Sequence, residues 1–374
     1  MDTPLVFHPR RAPSGKSSYP VSTTPEVETM LHENCVVAIG VSGGKDGASA
    51  AIRLSSYLDE IGHAGARVLI HSDLGTVEWK ASMPECERLA KRLGWELIVV
   101  RRNAGGMMQR WESRWENNVA RYAKLECVKL ILPWSTPSMR FCTSELKTQI
   151  ICAELTRRFP GQKILSVTGI RHDESSARSK MPVASKQEKL SSRKCSGLNW
   201  NPIITWTTPE VFSYLDEQNE PLHEAYTKYG STRVSCAFCI MGSIGDLNAS
   251  ASCPDNADIY RRMVELEVRS TYAFQGSRWL GDLAPALLSH EMRTRFQLAK
   301  IAAQVRVDAE ARLPKELLYT AGWPTSLPSL DESRLIAEVR VRVADAVGIE
   351  IGYTDANSVR ERYVDLLDTA GVAY

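Results

Sequence analysis

The chain has 374 residues, 43% of them hydrophobic and 24% charged, enough for one large domain with an appendage or for two domains. A net charge of +2 gives no global argument for nucleic-acid binding, so any basic patch must be local. No apolar run approaches the roughly 18 residues that span a membrane, and the N-terminal segment lacks the apolar core of a signal peptide, so the expectation is a cytoplasmic protein with no membrane partner.

Residues 1–24, rich in Pro, Ser, Thr and Arg, read as a loose arm. Over 25–255 short β-rich runs alternate with helical stretches. Strands are predicted over 35–41, 67–71, 96–100 and 163–168, and helices over 47–61, 79–93, 107–122, 144–159 and 209–218. This alternation predicts an α/β fold, a doubly wound parallel sheet with helices on both faces. Ligands bind such sheets beyond the carboxyl ends of the strands. Segments 42–47, 71–75 and 169–176 stand at those ends. Residues 171–194 carry seven basic side chains, Arg171, Arg178, Lys180, Lys186, Lys189, Arg193 and Lys194, and are predicted to form a long loop. From about residue 256 the pattern is wholly helical, with helices over 257–274, 284–305, 331–346 and 355–367, so 256–374 reads as a C-terminal helical region.

The most informative segment is Ser42-Gly43-Gly44-Lys45-Asp46-Gly47, between an apolar strand and a helix. Glycines let a backbone approach a ligand closely and leave its N–H groups available. A helix N-terminus adds partial positive charge, and Lys45 adds a full one. The segment therefore predicts a phosphate cradle, against the bland alternative of an ordinary glycine-rich turn. The spacing is not that of the Walker P-loop.

The segment resembles the PP-loop of the ATP pyrophosphatase and PAPS reductase superfamily, with Gly47 where that family usually has Ser. Three further segments match the superfamily in order. Arg140, Cys142 and Lys147 are similar to an Arg-x-Cys-x-x-x-x-Lys region before a helix. Gly169 to Arg178 resembles Gly-Ile-Arg-x-Asp-Glu-Ser-x-x-Arg. Residues 201–215 resemble a mostly structural Pro-Ile-x-x-Trp-Thr segment, in which Thr208 and Pro209 suit a helix start. The resemblance covers roughly 30–245 and implies an adenine-nucleotide α-hydrolase-like (PP-loop) fold.

Nine cysteines in a reducing compartment are packed residues or ligands rather than a disulfide framework. Cys236 and Cys239 form a Cys-x-x-Cys pair, able to hold a metal or cluster or to act as a redox dithiol. Cys35, Cys86, Cys127 and Cys152 read as structural. By resemblance to the APS reductase branch, an iron–sulfur cluster, 4Fe-4S in type, falls to Cys142, Cys236 and Cys239. The family's second Cys of a Cys-Cys pair is Thr143 here. Cys253 is the first candidate for the fourth thiolate and Cys195 the second. A three-ligand cluster is the remaining option.

The resemblance implies ATP and Mg²⁺ as further cofactors. Lys45, Asp46, Arg171 and Asp173 would carry the chemistry. Ser42, Gly43, Gly44, Lys45, Asp46, Gly47, Asp73, Arg140, Lys147, Gly169 and Arg171 would hold the nucleotide, with Asp46 and Asp73 as metal ligands. A conventional reductase ends in a Glu-Cys-Gly-Leu-His nucleophile, whereas this sequence has no cysteine beyond Cys253. The likeness is therefore closest to the sulfur-transfer proteins of DNA phosphorothioation (Dnd and Ssp types). It implies adenylylation of a substrate oxygen, release of pyrophosphate and replacement by sulfur, with DNA as acceptor and a cysteine desulfurase as sulfur source. Arg261, Arg262, Arg293 and Arg295 join the basic loop as candidate DNA contacts. The alternatives are a PAPS or APS reductase, a tRNA-thiolating enzyme and, as an outsider, a nucleotide-binding module without activity. An oligomer is allowed.

Overall fold

The computed structural model describes residues 19–191, 196–320 and 322–371. They form two compact units. One takes the described residues up to Met107 together with Pro137–Asn256; the other takes Met108–Thr136 and the residues from Ala257 onward.

The first unit is built on a six-stranded sheet of β1 (Val36–Gly40), β2 (Arg67–Asp73), β3 (Glu96–Arg101), β4 (Ile164–Val167), β5 (Ala184–Lys186) and β6 (Gly197–Trp200). Its order is β3-β2-β1-β4-β6-β5. All pairs are parallel except β5 with β6 at the edge. The order reverses at β1, which lies between β2 and β4, so the segment leaving β1 emerges at the topological switch point.

Both faces of the sheet are covered, which is why β1 is apolar without alternation. Val37, Ile39, Leu69, Leu165 and Val167 share one core with Ala50, Ala51, Leu54 and Leu58 of the helix Lys45–Glu60. Val36, Ala38, Val68, Ile70 and Ile98 share the other with Cys152 and Leu155 of the helix Gln149–Arg158. The predicted doubly wound α/β sheet is therefore what the chain forms. Cys35, Cys86, Cys127 and Cys152 are buried. Burial pushes the Cys35 thiol up to about 12 and that of Cys152 to about 11.

Three features depart from the expected elements. The basic stretch 171–194 is not a continuous loop, because β5 lies within it and pairs through Ser185 with Asn199 of β6. Both strands are too short to show a period. The helix expected over 144–159 begins at Phe141 and carries a π-helical turn over Ser144–Thr148. The helix Met107–Ala123, read as part of the 25–255 domain, packs beyond its first residue with the C-terminal helices.

That second unit also contains the helices Ala257–Ser270, His290–Glu310, Leu330–Val347 and Ala356–Ala370. Trp111 meets Trp134 edge-on at 5.3 Å, and Trp134 meets Phe274 at 5.1 Å. Buried Arg340 donates to the carbonyls of Tyr122 (2.6 Å), Gly352 (3.0 Å) and Tyr353 (2.8 Å). It thereby puts a cation at the C-terminal end of the Met107–Ala123 helix, where the helix dipole favours one. The helix expected to start at 284 starts at His290, because the Ser289 hydroxyl caps it by accepting from Met292 N. No helix among the described residues is long and apolar enough to cross a membrane.

Candidate phosphate loop and cysteine site

Beyond β1 the chain turns through Ser42–Gly44 into the helix that starts at Lys45. Gly44 precedes that helix without a side-chain cap, so no side chain of the cap residue competes for its first N–H groups. Gly43 has φ +75°, and a Cβ there would stand 3.0 Å from the Ser82 backbone. A Cβ at Gly169 would come 2.5 Å from Asp46 O, so the 169 segment lies directly against the loop. A Cβ at Gly47 would be 3.2 Å from Gly40 O. The residue that departs from the PP-loop pattern is thus packed tightly against the end of β1. Buried His71 braces the same turn: its Nδ1 lies 2.9 Å from Val41 O and its Nε2 3.1 Å from Glu78 Oε2. Burial alone would lower its pKa, but hydrogen bonds to Cys86 and Glu78 raise it to about 10.

Lys45 is 5% exposed and Arg171 2% exposed. The Lys45 ammonium donates to Asp46 Oδ2 (3.1 Å) and to Thr232 O (3.3 Å). Arg171 Nε donates to the other Asp46 oxygen at 2.8 Å, and the rest of its fork reaches Asp173 (3.4 Å), Trp206 O (3.2 Å) and Thr208 Oγ1 (3.2 Å). Its donors are thus engaged beneath the loop, and the structure makes Arg171 a brace for Asp46. Asp173 accepts from Thr208 N (2.9 Å) and Oγ1 (2.8 Å) at the start of the helix Thr208–Glu217. Those bonds hold its carboxyl below the usual range.

Asp46 and Asp73, the two carboxylates expected to serve Mg²⁺, each have hydrogen-bond partners within the chain. Each oxygen of Asp46 already accepts from a cation, while Asp73 accepts from Gly75 N at 2.7 Å and from Arg101 Nε at 3.0 Å. Arg140 is exposed at the start of the Phe141 turn. Lys147, in the π turn, lies near enough to Cys236 for its charge to act on that thiol.

Cys142, Cys236 and Cys239 are each partly exposed. Burial, then the neighbouring charge of Cys239, pushes the Cys236 thiol up to about 12; Glu78 and Cys142 add to this and Lys147 opposes it. Two backbone contacts tie this segment to the turn that follows β2: the β-bridge of Cys236 with Glu78 and the 2.7 Å bond from Ala237 N to Val77 O. Cys236 and Cys239 line a small cleft with Trp79, Arg233 and Ser235. Among the described residues no three His, Cys, Asp or Glu side chains converge on a single-ion site. One zinc would need thiolates roughly 3.8 Å apart. Cys142 and Cys239 both act electrostatically on Cys236, and thiolates are the ligand type that holds an iron–sulfur cluster. Cys253, the first candidate for the fourth thiolate, is buried. Cys195 lies outside the described residues.

The basic side chains singled out for DNA are largely paired. Arg261 meets Asp258 (2.8 Å), Arg262 meets Glu112 (2.6 Å), Arg295 meets Glu265 (2.6 Å) and Lys186 meets Glu188 (2.8 Å). Arg178 pairs with Glu174. Arg193 and Lys194 lie outside the described residues. Tyr226 and Thr232, which touch the loop, carried no sequence signal, because they lie far from it in the chain and outside any motif.

No protein with a curated description matches the chain. Among solved structures it is similar to the U34-tRNA thiolase NcsA from Methanococcus maripaludis with its [4Fe-4S] cluster, at 15% identity and a TM-score of 0.37, over 74% of this chain and 75% of that one. It is also similar to the NH3-dependent NAD synthetase from Campylobacter jejuni subsp. jejuni NCTC 11168 in complex with the nitrate ion, at 13% identity and a TM-score of 0.28, over 77% of this chain and 94% of that one. The phosphoadenosine phosphosulfate reductase domain signature matches residues 36–251, from the first residue of β1 to the helix that follows the cysteine pair. That match spans more than half of the chain and both halves of the site, and the protein belongs to the phosphoadenosine phosphosulfate reductase domain family.

Proposed function

We propose that the protein is an ATP-dependent sulfur transferase that acts on a non-bridging phosphate oxygen of DNA. The supporting observation is the placement, within one unit, of a glycine-rich helix start with its buried lysine and a three-cysteine neighbourhood. The acceptor oxygen attacks the α-phosphorus of ATP, an O–P bond forms, and the bond to pyrophosphate breaks. Lys45 and the N–H groups at the helix start stabilise the charge that gathers on the departing pyrophosphate. Arg171 holds Asp46, and Asp46 holds Lys45, so the ammonium is aimed before the nucleotide arrives. Hydrosulfide then displaces AMP from the activated phosphate, leaving sulfur in place of oxygen. A cluster held by Cys142, Cys236 and Cys239 would supply that sulfide, and a cysteine desulfurase would replenish it. Lys147 and Arg140 flank the cysteines as cations for the anionic acceptor.

The test incubates anaerobically purified protein with ATP, Mg²⁺, sulfide and duplex DNA. Pyrophosphate release and phosphorothioate dinucleotides in the nuclease digest are then measured. Both are expected, and Lys45→Ala should lower pyrophosphate release by about 10²–10³-fold, the factor typical of losing one donor to a developing anion. Sulfite formed from PAPS while ATP stays intact would replace this reading with a reductase. Sulfur found in tRNA and not in DNA would replace the acceptor.

A further inference from the structure

The segment between the helix Thr208–Glu217 and the cysteine pair lies across the phosphate loop. The Tyr226 hydroxyl accepts from Lys45 N at 3.2 Å and from Val234 N at 3.2 Å. Lys45 N is the first N–H of the loop helix, one of the donors that a helix N-terminus offers to a phosphate. In the structure a tyrosine oxygen occupies that acceptor position. The contact extends along the strap. Thr232 O takes the Lys45 ammonium at 3.3 Å, and the Lys45 Nζ stands 5.3 Å from the centre of the Tyr226 ring. A Cβ on Gly44 would meet Tyr226 Oη and Val234 Cβ at 3.4 Å, so the strap is in van der Waals range of the loop backbone. The far end of the same strap continues within two residues into Cys236 and its bridge to Glu78. Asp246 fixes its middle, accepting from Thr232 N at 2.8 Å and Thr232 Oγ1 at 2.9 Å.

We propose that Tyr226 is a positioning residue that latches the strap over the phosphate loop, and that nucleotide phosphate displaces its hydroxyl from Lys45 N, freeing the strap and shifting the attached Cys236–Cys239 pair. Phosphate competes with the Tyr226 oxygen for the Lys45 N–H and with Thr232 O for the Lys45 ammonium, so the strap cannot keep both contacts when phosphate is bound. Occupancy of the loop is thereby reported to the cysteines along the nine residues between Tyr226 and Cys236, with no need for a second domain. This inference rests on the proposed function for its ligand, a nucleoside triphosphate.

Hydrogen–deuterium exchange of the full chain, with and without Mg²⁺ and α,β-methylene-ATP, tests it. The expected result is protection over residues 42–48 together with several-fold faster exchange over 226–239. Tyr226→Phe should already show the faster exchange over 226–239 without nucleotide. It should also bind the analogue about fivefold more tightly, because one net hydrogen bond no longer has to be broken. A merely structural tyrosine would weaken binding when truncated. Protection over both segments, or weaker binding by Tyr226→Phe, would overturn the latch while leaving nucleotide binding intact. No protection at 42–48 in the wild-type protein would instead overturn the proposed function, and the latch with it.

Discussion

At the scale of single residues, the site depends on a relay of charge that begins out of reach of any ligand. Arg171 is almost wholly buried, and a guanidinium is costly to bury without partners. Asp46 is what makes that burial tolerable, and Asp46 in turn aims Lys45. Asp46→Asn keeps the shape but replaces an acceptor by an amide facing Lys45 and leaves Arg171 with one carboxylate partner, Asp173. We expect a loss of about 1.5–3 kcal/mol in urea unfolding, the usual range for a hydrogen bond to a charged group. A variant within about 0.5 kcal/mol of wild type would show that Arg171 draws its support from Trp206 O and Thr208 instead. The chain order of glycine, lysine and aspartate was enough to read the loop from the sequence. The role of Arg171 was not legible, because a motif position says which residues recur together and nothing about depth. Gly47 became intelligible only with Gly40 O at 3.2 Å from its absent Cβ.

At the scale of elements, the two strands missed by periodicity and the strap missed by motif share a cause: each is fixed by tertiary hydrogen bonds rather than by a local pattern. The strap is anchored by Asp246, which also closes a capping box with Ser243 at the start of the helix Ile244–Ser252. Burial would raise the Asp246 carboxyl, but bonds from Thr232 and Ser243 outweigh it and hold the pKa below the ordinary 3.8. A depressed folded-state value means that the carboxylate stabilises the fold above pH 3.8. That contribution is lost as the pH falls through the lowered value. Asp246→Asn removes it at every pH. The expected outcome is a loss of about 1–3 kcal/mol at pH 7 that narrows on acidification through this window, followed by urea midpoints at successive pH values. A difference that stayed constant down to pH 2 would assign the effect to packing and not to charge.

At the scale of the whole molecule, the two units answer different questions. The first contains the loop, the cysteines and most of the family match, and most of it was legible because parallel strands and phosphate loops leave strong local signatures. The second was legible only as helices. Its claim on Met108–Thr136 is made by Arg340 and by aromatic contacts that no spacing announces. It has a polar keystone of its own in Glu267, fully buried and accepting from the amides of Phe274 (2.8 Å), Leu280 (2.7 Å) and Gly281 (3.0 Å). Burial pushes this carboxyl up, to about 7, while the three amides pull against it. Glu267→Gln turns an amide NH₂ toward donors that need an acceptor. At least one buried N–H is then left unpaired, at a cost of about 1–3 kcal/mol. If the second unit is an independent cooperative body, the damage should remain there. Hydrogen exchange of Glu267→Gln is then expected to quicken across the helices Ala257–Ser270 and His290–Glu310 and to keep wild-type values across β1, β2 and β4. Faster exchange in the sheet to the same degree would show that the two units unfold as one.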